Sequence, residues 1–292
     1  MKLNGRREST NVEDRRGMSS GMKIAGGGGL LAVIIGIIMT LMNGGSLTDV
    51  IQNSPMIQPQ QTEQSQQGTY QGTPEEEELA AFSKKILAGT EDVWTEEFRK
   101  MGLTYEAPKL VLYTGSTPSG CGTGQANMGP FYCSADQCVY IDLSFFLNMK
   151  KTLGADGDFA YAYVIAHEVG HHVQYLLGTL GDYHNKRATM NERDGNQLNV
   201  RLELQADYYA GVWAYHDNEM FGSLEPGDIE KAVDCAGKIG DDYLQKKAQG
   251  YAVEDSFTHG RSDQRARWLS QGIKTGDVKA AQQIFTMPYS RL

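Results

Sequence analysis

The sequence predicts an α+β protein, a small strand-containing part packed on a mainly helical body. Two short β candidates, 110–113 and 139–143, sit mid-chain, and the second alternates apolar and polar side chains. Beyond them, 144–153, 158–177, 197–216, 226–248, 262–273 and 277–285 each show helical periodicity or a helix start signal. With 292 residues, 40% of them hydrophobic, the chain can bury a substantial core, and it carries no internal repeat.

The N-terminal third reads differently. Lys2, Arg6, Arg7, Arg15, Arg16 and Lys23 make 1–23 a basic segment, and 24–42 is then apolar or glycine without a charge. A hydrocarbon core is spanned by about 20 such residues, so this run reads as one transmembrane helix. No Lys or Arg follows until Lys84, an asymmetry that places the N-terminus in the cytoplasm and the bulk of the chain outside. The run is long for a signal peptide and no A-x-A cleavage site follows it. Residues 43–73 turn to Gln, Ser, Thr, Gly and Pro, too polar to offset their own ordering entropy, and read as a disordered linker. Order resumes at Thr73-Pro74-Glu75-Glu76, a capping box with Pro at the first helical position, which opens a folded domain over 74–292. One helix is expected to about Leu87 and a second over 90–100. The net charge of -9 and the lack of a basic block beyond the N-terminus exclude a nucleic-acid footprint.

The chemistry concentrates in VIAHEVGHHVQYLL, which holds His167-Glu168-x-x-His171 inside an apolar helix. Four residues make about 1.1 turns, so both imidazoles leave one face and can share one zinc ion. Glu168 is rotated by roughly 100° and addresses a metal-bound water rather than the metal, the position of a general base. A catalytic zinc needs a third protein ligand and an open position. No third His follows closely: His184 is thirteen residues beyond His171. In RLELQADYYAG, Glu203 and Asp207 are one turn apart on a later helix. Glu203 can complete a His-His-Glu site, and Asp207 can accept the free ring N–H of a ligand histidine, His167 being the expected one. His172 points away from His171 and is expected to pack; His184 and His216 receive no role, and Tyr208 and Tyr209 are read as packing residues.

Four cysteines allow three connectivities. Cys121 and Cys133 share one glycine-rich loop and are the expected pair, leaving Cys138 with Cys235.

Together GPFYC, VYIDLSFF, AYVIAHEVGHHVQ, ELQADYYAGVWA and THGRSDQRARW resemble the bacterial neutral zinc metallopeptidase family, over nearly the whole chain. HEVGH followed by E-x-x-x-D also looks like the gluzincin arrangement. The resemblance implies a zincin-like fold, one zinc per chain, Glu203 as third ligand and peptide or protein substrates. It further implies His259 as an oxyanion or substrate contact with Arg265 as its support, although Gly260 stands where relatives often carry Pro. It also implies an edge strand above the metal helix that receives an extended substrate by β-addition, and 139–143 is the expected edge. The alternatives are a membrane-anchored interaction module with a closed, structural metal site, and a hydrolase of cell-wall peptide stems.

Overall fold

A computed structural model describes residues 1–17, 70 and 72–292. The expected transmembrane helix at 24–42 and most of the linker lie outside the described residues. Among the described residues no helix is long and apolar enough to cross a membrane.

The first strand, β1 (Val12–Asp14), comes from the segment the sequence reading sets apart as basic. It is followed by α1 (Pro74–Lys100), β2 (Lys109–Tyr113), the hairpin β3 (Ser116–Ser119) and β4 (Gly122–Gln125), β5 (Phe131–Cys133) and β6 (Cys138–Asp142). The remainder is helical: α2 (Ser144–Asn148), α3 (Asp158–Leu176), α4 (Thr179–Arg187), α5 (Glu192–Phe221), α6 (Asp228–Lys238), α7 (Asp241–Gln249), α8 (Ser262–Thr275) and α9 (Gln283–Thr286). This is a mostly helical molecule with a small sheet, consistent with α+β.

The sheet runs β1-β2-β6-β5; β1, β2 and β6 are parallel and β5 is antiparallel to β6. The expected edge strand is therefore interior. Val139–Ile141 are fully apolar or aromatic and buried on both faces, the pattern of a central strand, and the edge beyond them is the three-residue β5.

At the start of α1 the Thr73 hydroxyl accepts from Glu76 N (3.2 Å) while the Glu76 carboxylate accepts from Thr73 N (2.7 Å). The expected break near residue 88 does not occur. Ile86, Leu87, Val93 and Trp94 are all buried on the core side, and that burial carries the helix through Gly89. Conversely, the predicted helix over 226–248 is cut into α6 and α7 at Gly240, where a Cβ would lie 2.4 Å from Ser262 N. The core gathers Trp94, Phe98, Phe146, Phe159, Tyr163, Tyr208, Tyr209 and Trp213 between α1, α3 and α5. Helix α5 crosses α8 at two glycines: a Cβ on Gly272 would meet Tyr208 O at 2.1 Å, and one on Gly211 would meet Leu269 O at 2.3 Å.

Candidate metal centre

Helices α3 and α5 build the centre. The ring nitrogens of His167 and His171 and a Glu203 carboxylate oxygen all lie within 4.8 Å of one another. His167 Nε2 is 3.2 Å from Glu203 Oε2, and His171 Nε2 is 3.5 Å from Glu203 Oε1. Ligands held about 2.0–2.1 Å from a tetrahedral zinc sit about 3.3–3.4 Å apart, so these separations suit one ion. The approach depends on Gly170, inside the motif: a Cβ there would be 2.9 Å from Ala206 O on α5. A glycine at this crossing lets the two ligand helices touch backbone to backbone.

Each imidazole is oriented by its other nitrogen. His167 Nδ1 donates to Asp207 Oδ1 at 2.7 Å, as the sequence predicts. Asp207 is fully buried and also accepts from the Tyr163 hydroxyl (2.6 Å) and from Arg265 Nε and Nη2 (both 2.9 Å). Arg265 thus supports Asp207, not His259. Its guanidinium is planar and buried, and a bidentate carboxylate satisfies it where a single imidazole would not.

Two residues of this shell escape the sequence reading. Gln174, fully buried, accepts from His171 Nδ1 (2.8 Å) through its Oε1 and donates through its Nε2 to Leu202 O (2.7 Å). Tyr163 lies one turn before His167 and shares its carboxylate. The signal for both is spacing: i+3 from one ligand and i-4 from the other on a single helix face.

The electrostatics suit a cation. Burial opposes the charged form of His167, yet Asp207 and Glu203 override it and push the imidazole up to about 10. Burial likewise opposes an ionised Glu203, but the two histidines hold it well below the usual carboxylate range. Two imidazoles drawn toward protonation by a carboxylate they already touch form a site that a metal ion completes without any proton.

His172 is not a ligand. Its Nε2 donates to Glu106 O at 2.6 Å, so its Nδ1 accepts from the Tyr132 hydroxyl at 2.9 Å, and both nitrogens are committed. Burial lowers this histidine to about 4 and keeps the ring neutral.

His259 lies in the loop before α8, with its side chain 53% exposed. Asp241, first residue of α7, accepts from the backbone N–H of Thr258, His259 and Gly260, and its Oδ1 is 3.2 Å from His259 Nδ1. Neighbouring protein opposes the charged ring despite its exposed face, but Asp241, and Glu203 behind it, raise it above the ordinary histidine value. The support that the resemblance assigns to Arg265 is provided by Asp241.

Cys121 and Cys133 form a disulfide with Cα atoms 5.8 Å apart. Cys138 and Cys235 do not pair. Cys138 faces Cys133 across the β5–β6 ladder, and Cys235 packs beside Met149 on the other side of the sheet; both are buried free thiols.

Fold and site define a mostly helical domain with a small sheet that carries a His-His-Glu cluster able to hold a metal ion. The chain belongs to the family described as "Putative neutral zinc metallopeptidase", matched over residues 1–284. It is 50% identical over 284 residues to the uncharacterised protein YpfJ of Escherichia coli K12, covering 95% of this chain and 96% of that one. It is 42% identical over 183 residues to an uncharacterised protein of Mycobacterium tuberculosis, covering 59% of this chain and 61% of that one. No solved structure matches the chain.

Proposed function

We propose that this chain is a zincin-like peptidase that binds one zinc ion through His167, His171 and Glu203 and hydrolyses peptide bonds with Glu168 as general base. The observation that carries the reading is the division of labour along one helix: two anchored imidazoles meet a carboxylate, while Glu168, between them in sequence, makes no hydrogen bond to that ligand set. Bound zinc supplies a Lewis acid and lowers the pKa of a coordinated water. Glu168 takes the water proton and delivers it to the leaving amine. Asp207, locked by Arg265 and Tyr163, holds the His167 tautomer that leaves Nε2 for the ion.

An extended substrate would add to the β5 edge. Tyr132 of that strand bonds His172, the residue after the second ligand, and so ties the edge to the metal helix. His259, whose Nε2 finds no hydrogen-bond partner among the described residues, would contact substrate or the developing oxyanion. A closed, structural site would need a fourth protein ligand such as His172 or His259; His172 is already committed at both nitrogens, and His259 does not lie within the cluster of ligand atoms that His167, His171 and Glu203 form.

The test is peptide cleavage by the zinc-loaded protein across a broad library, denatured proteins and peptidoglycan stem peptides included. Activity lost in Glu168→Gln with zinc still bound at one ion per chain supports the reading. A zinc-loaded wild type that cleaves nothing in the library overturns it.

A further inference from the structure

We infer that residues 1–17 are a built-in strand and clamp of the metal-binding domain, so that this arm and the domain lie on the same side of any membrane to which the chain is attached. Pairing of β1 with β2 places Val12 beside Leu110, Glu13 beside Val111 and Asp14 beside Leu112. The ladder is extended by Leu110 N donating to Asn11 O (2.8 Å) and Arg15 N donating to Leu112 O (2.7 Å).

Two buried acids of the domain are satisfied by the arm. Asp217 on α5, fully buried, accepts from Arg6 Nη2 at 2.7 Å, and the Arg6 guanidinium lies 3.6 Å over the Phe221 ring. Glu91 on α1 accepts from the Ser9 hydroxyl (2.5 Å), the Asn11 amide (2.8 Å) and Arg7 (2.9 Å). Both carboxylates are buried with the arm in place, and it supplies donors that a buried acid needs.

The domain also leaves room for the arm. A Cβ on Gly89 would stand 2.7 Å from Arg6 Nη2 and 2.8 Å from Asp217 Oδ1. Glycine weakens a helix interior, and here it leaves the space that the Arg6–Asp217 pair fills.

These contacts constrain topology. A single crossing by the apolar run 24–42 would put residues 17 and 72 on opposite faces of the bilayer, and the polar stretch after it offers no second span. The docked arm requires both on one face. The charge asymmetry that orients the run also changes meaning. Arg6, Arg7, Arg15 and Arg16 are bound by Asp217, by Glu91 and Asp92, by Glu13, and by Asp14 and Glu77. Four of the arginines behind that asymmetry are thus engaged by contacts within the fold.

Two measurements on the full chain in cells test this. The first is labelling of Thr10→Cys and Lys274→Cys, introduced singly at exposed positions, with a membrane-impermeant maleimide. The native thiols give little background, since Cys138 and Cys235 are buried and the other two are bonded. Both positions reacting together in intact cells, or both only after lysis, is the expected result. Reaction at one and protection of the other overturns the inference. The second uses a zero-length carbodiimide, which joins the Glu13 carboxylate to Lys109 Nζ, 3.4 Å apart, as an amide while the reagent takes up the water. The Glu13–Lys109 peptide is expected by mass spectrometry from native membranes, and its absence where other surface pairs are linked overturns docking.

Discussion

Gly170→Ala tests whether helix contact sets the metal geometry. The added methyl would sit 2.9 Å from Ala206 O and 3.2 Å from Ala206 Cα, both backbone atoms of the helix that carries Glu203. Relief to an ordinary contact needs about 0.5 Å of separation between α3 and α5. Functional constellations tolerate about that much and no more. The gap between His167 Nε2 and Glu203 Oε2, now 3.2 Å, opens by a similar amount, and one ligand bond lengthens or fails. We expect zinc affinity to fall by at least about tenfold, or about 1.4 kcal/mol. Fold stability of the metal-free protein should fall by a net of about 0–2 kcal/mol, since overpacking costs about 1–3 kcal/mol and replacing a helical glycine returns about 1 kcal/mol. Competition with a chromophoric chelator reads the affinity, and urea unfolding of the metal-free protein reads the stability. Gly181→Ala is the control, because a Cβ there meets nothing within 4 Å. Unchanged zinc affinity in Gly170→Ala, or an equal loss in Gly181→Ala, would refute the argument.

Gln174→Ala frees the His171 ring, so zinc affinity should drop about 10–100-fold in the same chelator assay. Arg265→Leu leaves Asp207 buried without its guanidinium and should cost about 3–5 kcal/mol by urea unfolding, with part recovered when Asp207→Asn is added. His172, lowered to about 4 in the fold and near 6.5 when unfolded, binds its proton more readily in the unfolded chain. Its contribution is complete above pH ~6.5 and is lost as pH falls toward 4, at up to about 1.4 kcal/mol per pH unit. In His172→Gln the slope of stability against pH should be shallower in that window by as much as one proton; an unchanged slope would show that the ring is not buried neutral.

What the sequence makes legible here follows from spacing along single helices. His167, Glu168 and His171 form one pattern, and Glu203 with Asp207 another, because a helix turn converts i, i+4 into one face. Contacts between elements were not legible. Gln174 reads as one polar residue in an apolar helix until Leu202 of α5 appears beside it. Strand β1 has three residues, two of them acidic, and its register comes from β2 and from arginines that composition alone assigns to a membrane flank. The 139–143 strand reads as half-exposed because Tyr140 and Asp142 alternate with apolar residues. In the fold Tyr140 stacks on Phe131 (4.8 Å between centroids) and Asp142 accepts from Gly115 N and Ser144 N, so both faces are covered.

The charges at the centre explain why Arg265 belongs to the design. Glu168, Glu203 and Asp207 bring three carboxylates into one largely buried region, and Arg265 provides one guanidinium. With both imidazoles neutral, as metal ligation requires, a bound dication would bring the group to neutrality. Had Asp207 lacked Arg265, it would draw the Nδ1 proton of His167 more strongly and leave the region with excess negative charge around the ion. Had Asp207 been absent, His167 would be free to turn. Arg265 lets Asp207 be both the anchor of an imidazole and, electrostatically, nearly silent, which in the proposed enzyme would leave Glu203 for the cation and Glu168 for the proton.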